Sequence, residues 1–189
     1  MDCLQRKCKR SVFTKSFLLR MIILFSLLFF CGEKSGFCLG WTDEVIRHLP
    51  DASFASVETD KSGKRIRRCP YRDAEGRTDY EQMIYVIGTF AEESWIDPVQ
   101  KEAARKLLMI NYEQYKQEAM KTGLQEPLNI NTASLTRLVL LPGIGPVLAV
   151  KIVRYREENG PFAKAEDIVK VEGIGQGTFN GIRFYIRTE

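Results

Sequence analysis

Beyond residue 38 the chain has one histidine, His48, and one cysteine, Cys69. Two such residues cannot assemble a His/Cys metal-ligand cluster there. If the first 40 residues are removed on export, the remaining chain has no internal disulfide, and its apolar core alone must hold it together. There is no run of ~20 apolar residues of the kind that spans a bilayer. No Gly-x-Ser-x-Gly elbow or phosphate-binding Walker sequence is present. These absences argue against an enzyme; the adjacent Glu157 and Glu158 read as an ordinary exposed helix end. Excess charge is missing as well. The net charge of +4 is concentrated at the start, where seven of the 28 basic residues and only two of the 24 acids precede Trp41. From Trp41 onward 21 basic residues face 22 acids, so bulk charge gives no argument for a nucleic-acid partner, and any such argument must rest on local geometry.

What is present begins with a targeting segment. Residues 1–20 carry six basic side chains, and Met21–Phe30 is apolar except for Ser26. A basic flank, a short apolar core and small residues at Cys38 and Gly40 form the pattern of a secretory signal cut before Trp41, with an uncleaved membrane anchor as the alternative. Leu28-Phe29-Phe30 lack the small residues that lipoprotein processing at Cys31 would need. The positive flank orients the rest of the chain outside the cytoplasmic membrane, in the periplasm or at the cell surface.

Residues 41–126 read as a small α+β unit of no evident family. Ala52–Thr59 and Lys64–Cys69 flank Asp60-Lys61-Ser62-Gly63, which predicts a β-hairpin. A short helix starts at Asp79. Asp97-Pro98 opens a long helix to about Lys121, with Val99, Ala103, Leu107 and Ile110 as its expected apolar face. Lys61, Lys64, Arg65, Arg67 and Arg68 crowd the hairpin. They form a candidate accessory basic patch for a phosphate backbone, against the plainer reading of a charged edge strand that resists aggregation. Trp41, Trp95, Tyr112 and Tyr115 read as packing residues, and His48 as a surface residue.

Residues 127–189 carry the clearest signal. Asn131-Thr132 is expected to cap a helix from about Ala133. Leu141-Pro142 ends that helix, and Gly143-Ile144-Gly145-Pro146 leads into a second, which stops at Asn159-Gly160. A short helix follows around Ile168, and Gly173-Ile174-Gly175 repeats the first turn 30 residues on. A last helix is expected to hold Phe179, Ile182, Phe184 and Ile186. The unit helix, Gly-Ile-Gly, helix therefore occurs twice. Glycine leaves no side chain above the backbone, and the start of each following helix presents unpaired N–H groups and a positive dipole end, a site suited to phosphate. The isoleucine turns inward to pin the helices. Two such turns can hold both strands of a duplex without reading bases. The alternative is that the turns only reverse the chain between packed helices.

This stretch resembles the tandem helix-hairpin-helix domain of ComEA-like competence proteins. The likeness rests on Leu128–Ala133, Leu141–Pro146, Ile152-Val153, Tyr155-Arg156, Asn159–Phe162 and Val171–Gly175, about a third of the chain. It implies an all-α domain binding the double-stranded DNA backbone, in an exported, membrane-associated receptor for DNA uptake in transformation. The residues it implicates are Gly143, Ile144, Gly145, Val147, Lys151, Gly173, Ile174, Gly175, Gly177 and Thr178. No cofactor is expected beyond a monovalent cation that hairpin carbonyls of this fold can hold. Such second hairpins carry a lysine where this chain has Gly177, and the first-hairpin equivalent is Val147. Lys151, Arg154 and Arg156 remain on the first repeat, and from Leu128 onward eight basic residues face six acids. Membrane-bound DNA-uptake or envelope proteins are the partners expected beside the DNA backbone, and the alternative function is a protein-docking or envelope-assembly module on the same scaffold, because a fold does not fix a function.

Overall fold

The structure, a computed structural model, describes residues 40–189, which belong to one compact unit. The expected signal segment lies outside the described residues. Among the described residues no helix is long and apolar enough to cross a membrane.

Helix α1 (Asp43–His48) is capped by the Thr42 hydroxyl, which accepts the Val45 N–H. Strands β1 (Phe54–Thr59) and β2 (Arg65–Pro70) pair antiparallel, as the turn residues foretell. The Asp60 carboxylate accepts the N–H groups of Ser62 and Lys64 at 2.8 and 3.0 Å and the Ser62 hydroxyl at 2.6 Å, while Gly63 supplies a φ of +83°. The Ser62 hydroxyl, followed by the Lys64 amide, pulls the Asp60 carboxyl below its usual pKa. Helix α2 (Tyr80–Gly88) is capped by Asp79, and α3 (Pro98–Thr122) by Asp97 with Pro98 in its first turn. Glu58, buried on β1, accepts the backbone N–H groups of Ile96 and Asp97 and meets Arg68 at 3.3 Å, fixing the start of α3 on the hairpin.

The buried face of α3 differs from the expected one. Ala104, Leu108 and Tyr112 face the core, whereas Val99, Leu107 and Ile110 are 75%, 36% and 48% exposed. This helix is apolar on two stripes about 100° apart, and helical spacing alone does not choose between them. The partners choose: β1 and α2 lie against the Ala104 stripe.

After α3 come β3 (Leu128–Asn129), α4 (Leu135–Leu138), α5 (Pro146–Asn159), a 3-10 segment (Ala165–Lys170), α6 (Gln176–Ile182) and β4 (Ile186–Arg187). Three expectations are corrected here. The region is not wholly helical, because β3 and β4 pair in parallel, with Leu128 N–H donating to Tyr185 O at 2.7 Å and Ile130 N–H to Arg187 O at 2.9 Å. Helix α4 is one turn long and is capped by Ser134, not Asn131. The Asn131 side chain instead staples distant backbone, accepting from Phe162 N–H and donating to the carbonyls of Phe162 and Thr188. Helix α6 ends at Ile182, which leaves Phe184 75% exposed and Ile186 buried on β4.

One core runs through the middle and C-terminal stretches, from Met83, Ile84 and Leu108 to Leu135, Leu138, Ile152 and Ile182. Burial of each such side chain stabilises by about 1.5–3 kcal/mol. Polar and close contacts also bind the two stretches. The Glu81 carboxylate accepts the N–H groups of Leu135 and Thr136 at 2.6 and 3.0 Å. The Tyr115 hydroxyl donates to Thr136 O at 2.8 Å. Gly88 lies so close to α5 that a Cβ there would sit 2.5 Å from Val150 Cγ2 and 2.8 Å from the Pro146 carbonyl oxygen.

Candidate nucleic-acid interface

Each Gly-Ile-Gly turn is built the same way. The first glycine takes the left-handed backbone, φ +76° at Gly143 and +91° at Gly173, where a side chain would be strained. The isoleucine points inward: Ile144 and Ile174 are 1% and 3% exposed. Their N–H groups close the turn on Leu141 O and Val171 O, at 3.1 and 3.0 Å. The second glycine is the N-cap of the next helix, and its backbone is extended, with φ −99° at Gly145 and −94° at Gly175. Backbone handedness therefore does not require glycine at this place. A Cβ at Gly143, Gly145, Gly175 or Gly177 would meet nothing within 4 Å.

The capping pattern separates these two from the other α-helices of the described residues. Thr42, Asp79, Asp97 and Ser134 cap α1 to α4 with side-chain oxygens. Helices α5 and α6 have no side-chain cap at all. Pro146 lacks an N–H, so the donors left at the first hairpin are those of Val147 and Leu148; at the second they are those of Gln176, Gly177 and Thr178. Val147 is half-exposed, Gly177 exposed and Thr178 partly buried. Such uncapped donors can take an anion from outside.

The cations of the first repeat divide. Lys151 lies one turn into α5 and meets Glu172 at 3.1 Å, a contact that joins the two hairpins. Arg154 turns to the middle region, where Glu92 receives it through two bonds of 2.8 and 3.1 Å. That hydrogen-bonded pair lowers the Glu92 pKa and raises that of Arg154. Arg156 is buried and donates to Ile130 O at 2.8 Å; desolvation lowers its pKa. Sequence spacing did not separate these three roles.

The basic patch on the β-hairpin is similarly divided. Lys61 and Lys64 are exposed at its turn. Arg65 pairs with Asp51, and Arg67 lies over the Phe54 ring and donates to the carbonyls of Leu49 and Arg47. Arg68 is held between Glu58 and Glu93. Trp95 packs on Phe90, Tyr115 stacks on Tyr80, and Tyr112 is 3% exposed. Among the described residues no group of three or more His, Cys, Asp and Glu is placed to hold a metal ion.

Comparison with known proteins agrees with this geometry. The helix-hairpin-helix motif family matches residues 124–187. ComE operon protein 1 of Bacillus subtilis is 52% identical over 56 residues, 30% of this chain and 27% of that protein. The human endonuclease/exonuclease/phosphatase family domain-containing protein 1 is 45% identical over 62 residues, 33% of this chain and 11% of that protein. A Haemophilus influenzae protein of unassigned function is 45% identical over 56 residues, 29% of this chain and half of its own length. The chain thus spans about a quarter, a ninth and a half of these relatives, and the match to the human protein is confined to the same segment. Residues 124–187 form a helix-hairpin-helix domain, and it is similar to that of ComE operon protein 1.

Proposed function

We propose that this protein binds double-stranded DNA through phosphate contacts at its two hairpins, without reading base sequence. The observation that carries the reading is the capping pattern. The helices that begin at Gly145 and Gly175 have no side-chain cap, while the four α-helices before them among the described residues do. Their second glycines also leave open space where a phosphate would approach. The likeness to ComE operon protein 1 supports a place in competence. On this reading the first 40 residues export the chain or anchor it in the cytoplasmic membrane, residues 41–126 act as a brace, and residues 127–189 receive incoming DNA at the cell surface or in the periplasm. Membrane-bound DNA-uptake proteins are the partners this role requires.

Titration of labelled duplexes of unrelated sequence at several salt concentrations tests it. Similar affinities are expected for all sequences, with a log–log salt slope set by a handful of phosphates. Absence of binding at low salt would overturn the reading. Docking on an envelope protein is the second reading, favoured by the exposed stripe of Val99, Leu107 and Ile110 on α3.

A further inference from the structure

A groove of about 680 Å³ lies beside the first hairpin, between the end of α2, the N-terminal half of α3 and the first turns of α5. That is within the usual range of ligand sites, about 300–1,000 Å³. Its lining is mostly apolar, with Phe90, Leu108, Met109 and Val150 among the residues that form it. Four cations ring it: Lys101 and Arg105 from α3, and Lys151 and Arg154 from α5. Three acids answer them in part: Glu92 holds Arg154, Glu102 lies 3.8 Å from Arg105, and Glu172 meets Lys151 at 3.1 Å. Lys101 has no ion-pair partner among the described residues. The groove is continuous with the hairpin, because Pro146, Val147 and Lys151 line it too.

We propose that this groove takes an unpaired strand of DNA continuing from a duplex held at the hairpins, so that the protein prefers a duplex with a single-stranded end. The inference rests on the hairpins binding duplex DNA. Three features choose this occupant. The rim keeps an excess of one positive charge, at Lys101, which suits a phosphate. The apolar floor suits the faces of unstacked bases, which a duplex keeps inside its own stack. The shared residues put the groove directly beside the first hairpin, within reach of a strand held there. The middle region thereby supplies half of a binding surface whose other half is the helix-hairpin-helix domain.

Fluorescence anisotropy with the full chain tests this, using a blunt duplex and the same duplex carrying a short overhang of either polarity, at one salt concentration. The overhang should tighten binding about tenfold, the worth of stacking one base. An overhang of abasic sugars should lose most of that gain. The Lys101→Ala/Arg105→Ala double variant alters two solvent-facing side chains of α3, and Ala91→Trp fills the groove without changing charge. Each should cancel the gain and keep blunt-duplex affinity within about twofold. If the blunt duplex binds but the overhang adds nothing, the proposal is overturned and the duplex reading stands; the groove would then suit an acidic, partly apolar protein segment. A gain that survives both variants, or persists with the abasic strand, overturns it equally. If no duplex binds, the underlying reading fails, and this inference with it.

Discussion

The two hairpins share a backbone and differ in everything around it. The first opens a 14-residue helix, carries Pro146 and Lys151, and is buttressed from outside by Gly88 and the end of α2. The second opens a seven-residue helix, carries Gly177 where the family resemblance implies lysine, and has the carboxylate of Glu172 one residue before its first glycine. Its support comes from the first repeat, since Leu148 Cδ2 would lie 3.0 Å from a Cβ on Gly173. The turn geometry is thus the repeated element, while strength and charge are assigned unequally. Backbone donors stand at both hairpins, two at the first and three at the second, whereas the nearby cation belongs to the first alone.

The largest expected effect breaks the brace on the first hairpin. Gly88→Val would drive a side chain into Val150 and the Pro146 backbone. Overpacking of this kind costs about 1–3 kcal/mol and lowers the melting temperature by about 3–10 °C. Duplex affinity should fall with it; a calorimetric scan unchanged from the parent would show that α2 does not support α5. Next come the access glycines. Gly145→Val and Gly175→Val should each weaken duplex binding about tenfold, the worth of one charge-assisted hydrogen bond. The extended backbone at both positions accommodates valine, so the stability loss should stay near 1 kcal/mol. Equal losses would confirm that the two turns act alike; loss at one only would locate binding in a single repeat.

Smaller effects address the unequal charge. Lys151→Ala should weaken all duplex sequences alike by a few-fold and reduce the salt slope by about one. Glu172→Gln should act in the opposite direction, tightening binding about twofold, because a carboxylate beside the second hairpin opposes phosphate and also occupies Lys151. The gain should vanish at high salt, as screening requires. An unchanged affinity for both variants would remove charge from the account of either hairpin.

Much of the C-terminal site was legible in the chain because glycine, proline and isoleucine at these turns each have a local reason that neighbours do not alter. The buried isoleucines, the uncapped starts at Gly145 and Gly175, and the β-hairpin around Asp60 and Gly63 follow from spacing and turn chemistry. What escaped reading depends on partners far away in sequence. Gly88 ends α2, and its lack of a side chain serves the approach of α5. Glu81 stands in the first turn of α2 and accepts the amides that open α4 across 54 residues, a pairing that no local pattern announces. Asn131 looked like a cap and proved to be a staple between Phe162 and Thr188. Arg154 and Arg156 sit near Lys151 in sequence, but one is drawn to Glu92 and the other into the core. The stripe on α3 was misassigned because an amphipathic pattern gives a period without naming the neighbour that covers it.

The two-residue ladder between β3 and β4 has a wider consequence. It fastens the entry of the helix-hairpin-helix segment at Leu128 to its exit at Ile186, and Arg187 adds a bond to the Pro127 carbonyl at 3.1 Å. A segment whose two ends meet can be spliced into a host loop without stretching either. That makes it a portable cassette, which agrees with its recurrence as a small fraction of one relative and half of another. Portability has a condition here. A new host must bring its own carboxylate to the amides of Leu135 and Thr136, and a surface as bare as Gly88 for α5 to lean on.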